Sequence, residues 1–350
     1  MSHDERPDDV AGHAPTGDAE EIAAELRRAL TTVPRTLPPR WLYDDRGSEL
    51  FSRITELDEY YPTEAERRIL ADRSGEIAEV TGATTVVELG SGTSDKTRTL
   101  LDAFADHGRL TAFAPLDVSE ATLLEAAEML RARHPEMTVT PIVGDFTRHL
   151  SRISALASSG PLLVLFLGGT LGNFYVGERA AFLRDLHDAL SPGDWALVGM
   201  DQVKDADRLV AAYDDGEGVT ELFIRNALVN VNSTYGGDID VGRFDYVPLW
   251  DPRAERIDMR LRASDHVSAR IEGLGVDLEV AAGEEIRVEI SSKFRPPRLL
   301  DELAAAGFGA SGHRVYTDPD DDFALLLVRR DAPSDEAPDV ATDDSTAPHQ

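Results

Sequence analysis

A chain of 350 residues, 42% hydrophobic and 29% charged, has room for a large core and the composition of an ordinary globular protein. Its net charge of −30 argues against nucleic acid as a partner, because phosphate backbones are repelled and no basic stripe breaks the acidity. The absence of cysteine excludes disulfides, thiolate metal ligands and cysteine nucleophiles and agrees with a cytoplasmic address. No apolar run approaches the ~20 residues of a bilayer-crossing helix, so no membrane is expected.

Residues 1–18 are acidic, poor in apolar side chains and without the pattern of a signal peptide, so they read as a disordered tail, as do residues 331–350. With the charge of residues 1–20 and 331–350 set aside, the body still carries about −19. Residues 19–65 precede the first strand and are assigned to the N-terminal part of a second, smaller α+β lobe. A βα series then runs over residues 66–202. TTVVELG (84–90) is a short β-branched run ending at glycine, and SDKTRTLLDAFADH has helical periodicity after it. RLTAFAPLDVS (109–119) is the next strand, and Ser119 stands where it can cap the helix of SEATLLEAAEMLRARH. MTVTPIVGDF is a third strand, PLLVLFLGG (161–169) a fourth and DWALVGMD (194–201) a fifth, with a helix near 176–190 between the last two. Such a series predicts a doubly wound α/β sheet with right-handed crossovers.

The series stops at residue 203. Residues 203–230 look helical, 240–280 hold alternating runs such as IDMRLRAS, and EEIRVEISSKF (284–294) alternates too. Residues 203–285 are assigned to the second lobe, and 286–330, ending in a helix and the strands of ASGHRVYTD and DFALLLVRR, to the completion of the first. A parallel sheet closed by an antiparallel hairpin points to the class I methyltransferase version of the Rossmann-like fold.

The turn Gly90-Ser91-Gly92 between a strand and a helix lets the backbone bend tightly and approach a ligand closely. Such a loop also serves NAD and FAD, so it is weak evidence alone. Asp95 occupies the place of the third glycine of the dinucleotide fingerprint, and Glu88 precedes the loop in an E-x-G-x-G pattern. Asp117, ending the second strand, can accept both ribose hydroxyls. Asp145 and Phe146, ending the third, are placed for the amino group and ring of an adenine. Lys96 opens the helix and can reach a methionyl carboxylate. Together these residues predict S-adenosyl-L-methionine as cofactor.

WLYDDRGSELFSRITELDEYYPTEAE (41–66), ELGSGTSDKT (88–97), FLGGTLGNF (166–174) and EISSKF (289–294) resemble the L-histidine Nα-methyltransferases of ergothioneine biosynthesis, over nearly all of residues 20–330. The resemblance implies trimethylation of the α-amino group of L-histidine to hercynine. It implies that Tyr60, Asn173 and Tyr213 hold the amino-acid end of the substrate, that Glu289 and Ser291 bind the imidazole, and that Ile290 between them belongs to the substrate site. Tyr43 and Phe51 would line the same pocket, with Tyr43 and Tyr60 as candidate local proton acceptors. Glu289 and Ser291 stand at i and i+2 of a strand and so share a face. Tyr61, the second tyrosine of EYY, is a rival to Tyr60 as the inward one.

None of the nine histidines forms a ligand-spaced pair, so no metal is expected. A monomer with a small-molecule substrate is expected. The rival readings are a nicotinamide-dependent oxidoreductase, a non-catalytic histidine or S-adenosylmethionine binding protein, and an Nα-methyltransferase for another aromatic amino acid.

Overall fold

The structure, a computed structural model, describes residues 16–156, 160–309 and 312–332. The expected disordered tails lie outside the described residues except for 16–18 and 331–332. Among the described residues no helix is long and apolar enough to cross a membrane.

The larger lobe is built on one eight-stranded sheet. Thr85–Leu89 lies at its centre, with Ala112–Asp117 and then the short pieces Thr138–Val139 and Ile142–Val143 on one side. Leu162–Phe166 and Trp195–Asp201 continue on the other side, all parallel. Phe323–Arg329 adds antiparallel to Trp195–Asp201, and Arg314–Thr317 closes the edge. This is the predicted parallel sheet with its antiparallel ending, the methyltransferase arrangement. The three strands Thr85–Leu89, Leu162–Phe166 and Trp195–Asp201 are buried along their whole length, because helices cover both faces. Tyr61–Thr81 and Thr97–Asp106 pack on one face through Ile69, Leu70, Leu100 and Phe104. Val176–Ala189 and Pro296–Ala305 pack on the other through Phe182, Leu186, Leu299 and Leu303. The strand order reverses between Thr85–Leu89 and Leu162–Phe166, which opens a crevice at their C-terminal ends.

The smaller lobe has its own core, from Leu26 to Tyr61 and from Leu209 to Val288. Its four-stranded sheet runs Arg35–Thr36, Glu285–Ser292, Arg256–Ala263, Phe244–Asp251, beside the hairpin Val267–Ile271 and Val276–Val280. Four details depart from the sequence reading. The strand Glu285–Ser292, expected from residue 286 on to complete the larger lobe, pairs with Arg256–Ala263 in the smaller one. Only at Phe294 does the chain return to the large sheet, by a bridge to Gln202. The third strand is interrupted at Thr140-Pro141, since proline has no N–H for the ladder. The helical stretch 203–230 is two helices, Ala206–Ala211 and Val219–Tyr235, parted by a turn in which Asp215 accepts from the N–H groups of Val219 and Thr220. Ser119 does not cap its helix through its side chain; its Oγ is 2.9 Å from Thr122 Oγ1 instead.

Candidate active site

The glycine loop is held from below and from the side. Gly90 and Gly92 take φ of 68° and 49°, a region that side-chain-bearing residues avoid. Beneath them, buried Glu88 accepts from Ser94 Oγ at 3.0 Å and from Thr97 Oγ1. Burial pushes its carboxyl up to about 7, against the pull of those hydroxyls. Beside the loop, Asp117 accepts from Gly92 N–H at 2.8 Å and Ser119 N–H at 3.0 Å. One carboxylate thus fixes the loop and remains part-exposed at the crevice. Phe146 stands over Gly90: a Cβ added there would lie 3.5 Å from its ring. That ring packs edge-on against Phe166 at 5.3 Å. Asp145 caps the short turn Phe146–His149 through Thr147 N–H at 2.9 Å and faces Arg40 at 3.6 Å. Gly90, Ser91, Gly92, Asp117, Asp145 and Phe146 therefore stand together around the switch-point crevice.

Lys96 does not stand free at the helix start. Its Nζ pairs with Glu66, which is fully buried and also accepts from Gly168 N–H at 2.9 Å. Gly168 and Gly169 end the strand Leu162–Phe166 with φ of 75° and 69° and form the wall of a second cavity. Lys96 thus marks the junction of crevice and cavity.

The cavity between the lobes is lined by Tyr43, Phe51, Tyr60, Asn173, Tyr213, Glu289 and Ser291, together with Phe223, Met259 and Thr170. The rings form an aromatic box: Tyr43 lies 5.8 Å from Phe51 and 5.4 Å from Phe223, and Tyr60 lies 6.0 Å from Tyr213, all edge-on. Asn173, at the end of the 3₁₀ turn Thr170–Asn173, donates from Nδ2 to Glu289 Oε1 at 2.9 Å. Burial pushes the Glu289 carboxyl up to about 8, with Lys293 pulling the other way.

Glu289 and Ser291 reach the cavity because of a β-bulge. Ile286 pairs with Leu261 and Arg287 with Arg260, but Glu289 pairs with Met259, leaving Val288 as the extra residue. Even-numbered Ile286 and Val288 face the small lobe's core, and after the bulge odd-numbered Glu289 and Ser291 share that face. Ile290, expected with them in the substrate site, points the other way and lines a separate groove with Phe174 and Phe294. Period-two alternation excludes its side chain from the cavity.

Tyr60 lines the cavity and Tyr61 does not. The Tyr61 hydroxyl donates to Asp201 at 2.8 Å and accepts from Lys204 at 2.7 Å. Asp201 also pairs with Lys204 and with Lys293, at 2.7 Å from the latter. Burial pushes Asp201 up, but the two ammonium groups outweigh it and hold the carboxyl below its usual range. Lys293, its side chain fully buried, donates to Tyr213 OH at 2.7 Å and Ser291 Oγ at 2.9 Å. Burial pushes its ammonium down, opposed by Asp201. Burial first, and neighbouring acidic groups second, push the phenols of Tyr43 and Tyr60 well up. Both therefore stay protonated near neutral pH, and a proton-acceptor role falls to a neutral hydroxyl oxygen, a weak base.

Sequence reasoning assigned no role to Phe223, Met259, Lys293, Asp201 or Glu66. Two carried a signal: Lys293 stands two residues beyond Ser291 in EISSKF, on the same face, and Asp201 is the acid ending the fifth strand. The metal-spaced acids among the described residues, Asp318, Asp320 and Asp322, bond instead to Arg68 and Arg208.

A parallel sheet with its order reversing beside Thr85–Leu89 and an antiparallel pair at one edge, carrying an E-x-G-x-G loop and acids after the next two strands, has the form of an S-adenosylmethionine-dependent methyltransferase. The profile described as "histidine-specific methyltransferase, SAM-dependent" matches residues 22–330, and the chain belongs to that family. It is 46% identical over 312 residues to the histidine N-alpha-methyltransferase of Mycolicibacterium smegmatis, covering 89% of this chain and 96% of that protein. It is 36% identical over 241 residues to ergothioneine biosynthesis protein 1 of Schizosaccharomyces pombe, covering 66% of this chain and 30% of that one. The L-tryptophan methyltransferase trpM of Psilocybe serbica is 28% identical over 341 residues, covering 89% and 94%.

Proposed function

We propose that this chain transfers methyl groups from S-adenosyl-L-methionine to the α-amino group of L-histidine, three times over, giving hercynine, the first step of ergothioneine biosynthesis. The carrying observation is the pairing of Glu289 with Asn173 beside Ser291 and Tyr213 at one end of an aromatic box. In this reading Glu289 accepts a ring N–H of the imidazole, and Tyr60, Asn173 and Tyr213 hold the amino-acid end. The crevice loop holds the cofactor by its ribose at Asp117, its adenine at Asp145 and Phe146, and its carboxylate at Lys96. When bound, the cofactor supplies an electrophilic methyl group.

The protein's own work is to aim a neutral amine along that methyl bond. The box of Tyr43, Phe51, Tyr60, Tyr213 and Phe223 can retain methylammonium intermediates by cation–π attraction of about 0.5–2 kcal/mol. Relatives named for histidine and for tryptophan share this fold family, so the polar end of the box carries the choice of side chain. The chain acts as a cytoplasmic monomer in this reading, the address in keeping with a sequence that has no cysteine. Incubation with histidine and labelled S-adenosylmethionine, followed by mass measurement, tests it. A gain of three methyl groups is expected, and no transfer to histidine overturns it.

A further inference from the structure

Lys293 has no place in the methyl-transfer chemistry just described and does not line the cavity, yet its charged side chain is fully buried behind it. An ammonium has three hydrogens and no lone pair. All three have an acceptor: Asp201 Oδ2 at 2.7 Å, Tyr213 OH at 2.7 Å and Ser291 Oγ at 2.9 Å. Tyr213 OH and Ser291 Oγ are themselves 2.8 Å apart, so one of them donates to the other. The two hydroxyls own two hydrogens between them. The phenol, much the stronger acid, donates the mutual bond, so Ser291 Oγ accepts from both Tyr213 and Lys293, has no lone pair left and keeps its own hydrogen.

We propose that Lys293, anchored by Asp201, is a positioning residue that, with Tyr213, saturates Ser291 Oγ as an acceptor and leaves the Ser291 hydrogen to turn toward the cavity, so that the site takes the imidazole ring in its neutral form. This rests on the reading of the cavity as a histidine site and deepens it. A neutral imidazole offers one N–H and one lone pair. The N–H meets Glu289, which brings an acceptor, and the lone pair meets the hydrogen of Ser291. An imidazolium brings two N–H groups, and the second would confront that hydrogen. The arrangement also discriminates against indole and phenyl rings, which have no ring lone pair to meet it.

Several groups face Lys293. They are Asp201 and Lys204 at the end of the fifth strand, both bonded in turn to Tyr61 of the helix Tyr61–Thr81, and Tyr213 after the helix Ala206–Ala211. Glu289 and Ser291 face it from its own segment. Asp322, paired with Arg208, stands behind Lys204.

The test separates titration of the ring from titration of these groups. The full chain, saturated with S-adenosylhomocysteine, is titrated calorimetrically with L-histidine and with 1,2,4-triazolyl-3-alanine at pH 7.5 and 5.5. The triazole stays neutral throughout, whereas an imidazole of ordinary pKa near 6.5 passes from about nine-tenths neutral to about one-tenth. Protein titrations common to both ligands cancel in the ratio of their dissociation constants. In the wild type the histidine-to-triazole ratio should rise about tenfold at pH 5.5. In Lys293→Met the hydroxyls are free to rotate and accept, and the rise should fall below about threefold, with S-adenosylhomocysteine affinity reporting that the variant is folded. An unchanged ratio in the wild type overturns the proposal whatever the variant does, and so does a tenfold rise persisting in a folded Lys293→Met. Failure of the wild type to bind histidine at either pH would instead overturn the histidine reading itself.

Discussion

The donor side and the acceptor side of this molecule are built on different principles. Glu88, the Gly90–Gly92 turn, Lys96, Asp117 and Asp145-Phe146 lie within 59 consecutive residues, at the ends of three adjacent parallel strands. The strand period and the sheet order bring them together, and each is held by its own backbone surroundings, as Asp117 is by the N–H groups of Gly92 and Ser119. The acceptor cavity draws on residues from Tyr43 to Phe323. Its polar end depends on one bulged strand, and on an ion cluster in which Asp201 of the large sheet meets Lys293 from the strand of the small one. The donor site is a property of one sheet; the acceptor site is a property of how two lobes meet.

The difference can be broken from either side by single substitutions with opposite consequences. Asp117→Ala removes the partner of two backbone N–H groups and the proposed ribose acceptor. S-adenosylhomocysteine affinity should fall about 100-fold, the worth of one or two hydrogen bonds to a charged group. Glu289→Gln should leave that affinity within twofold while kcat/KM for histidine falls about 100-fold, because an amide N–H is then set against the ring N–H. Calorimetry on both variants, with steady-state kinetics on the second, reads the contrast. Equal loss of cofactor affinity in both would mean the two sites are not separable.

Glu289 also gives the acceptor side a pH signature. Its carboxyl stands at about 8 against an ordinary value of 4.5, raised chiefly by burial. Between those values the folded empty protein keeps a proton that the unfolded chain gives up. The stability associated with the neutral carboxyl is therefore present at low pH and lost as pH rises toward 8. Glu289→Gln, which cannot ionise, should melt higher than the wild type at pH 8.5, with the difference shrinking by pH 5. Histidine binding runs the other way. Accepting a ring N–H favours the carboxylate, so affinity in the wild type should rise about tenfold from pH 6.5 to 8.5 and more weakly in Glu289→Gln. Parallel slopes in the two proteins would place the titrating group elsewhere.

The same contrast explains what was legible in the sequence. The alternation of strands and helices, the loop and the strand-end acids are local patterns, and the sheet follows from them with its antiparallel ending. The motif EISSKF marks the acceptor side, but alternation alone could not reveal that Val288 is an extra residue or that the strand pairs in the smaller lobe. A bulge is decided by the pairing partner, here Arg256–Ala263, more than 20 residues away in the chain. Ile290 was misplaced and Lys293 overlooked for related reasons. One needed the side-chain direction across the strand, and the other needed Asp201 and Tyr213 brought to it by tertiary packing.

Tyr60 and Tyr61 give the smallest and sharpest version of the comparison, because adjacent identical side chains belong to different systems. Tyr60 precedes the helix Tyr61–Thr81 with its ring among Phe51 and Tyr213 and its side chain on the cavity. Tyr61, one residue on, turns its hydroxyl into the buried cluster of Asp201 and Lys204. Tyr61→Phe leaves those two groups short of a partner, costing about 1–3 kcal/mol of stability, while KM for histidine should change less than threefold. Tyr60→Phe removes a hydroxyl from the lining of the cavity proposed for the substrate, so KM should rise about tenfold with stability nearly unchanged. Denaturant unfolding and steady-state kinetics on the two variants give four numbers with a crossed pattern. If Tyr61→Phe raised KM as much as Tyr60→Phe, the loss of its hydroxyl would be reaching substrate through Asp201, which itself lines the cavity, and Tyr61 would belong with the residues that shape the site.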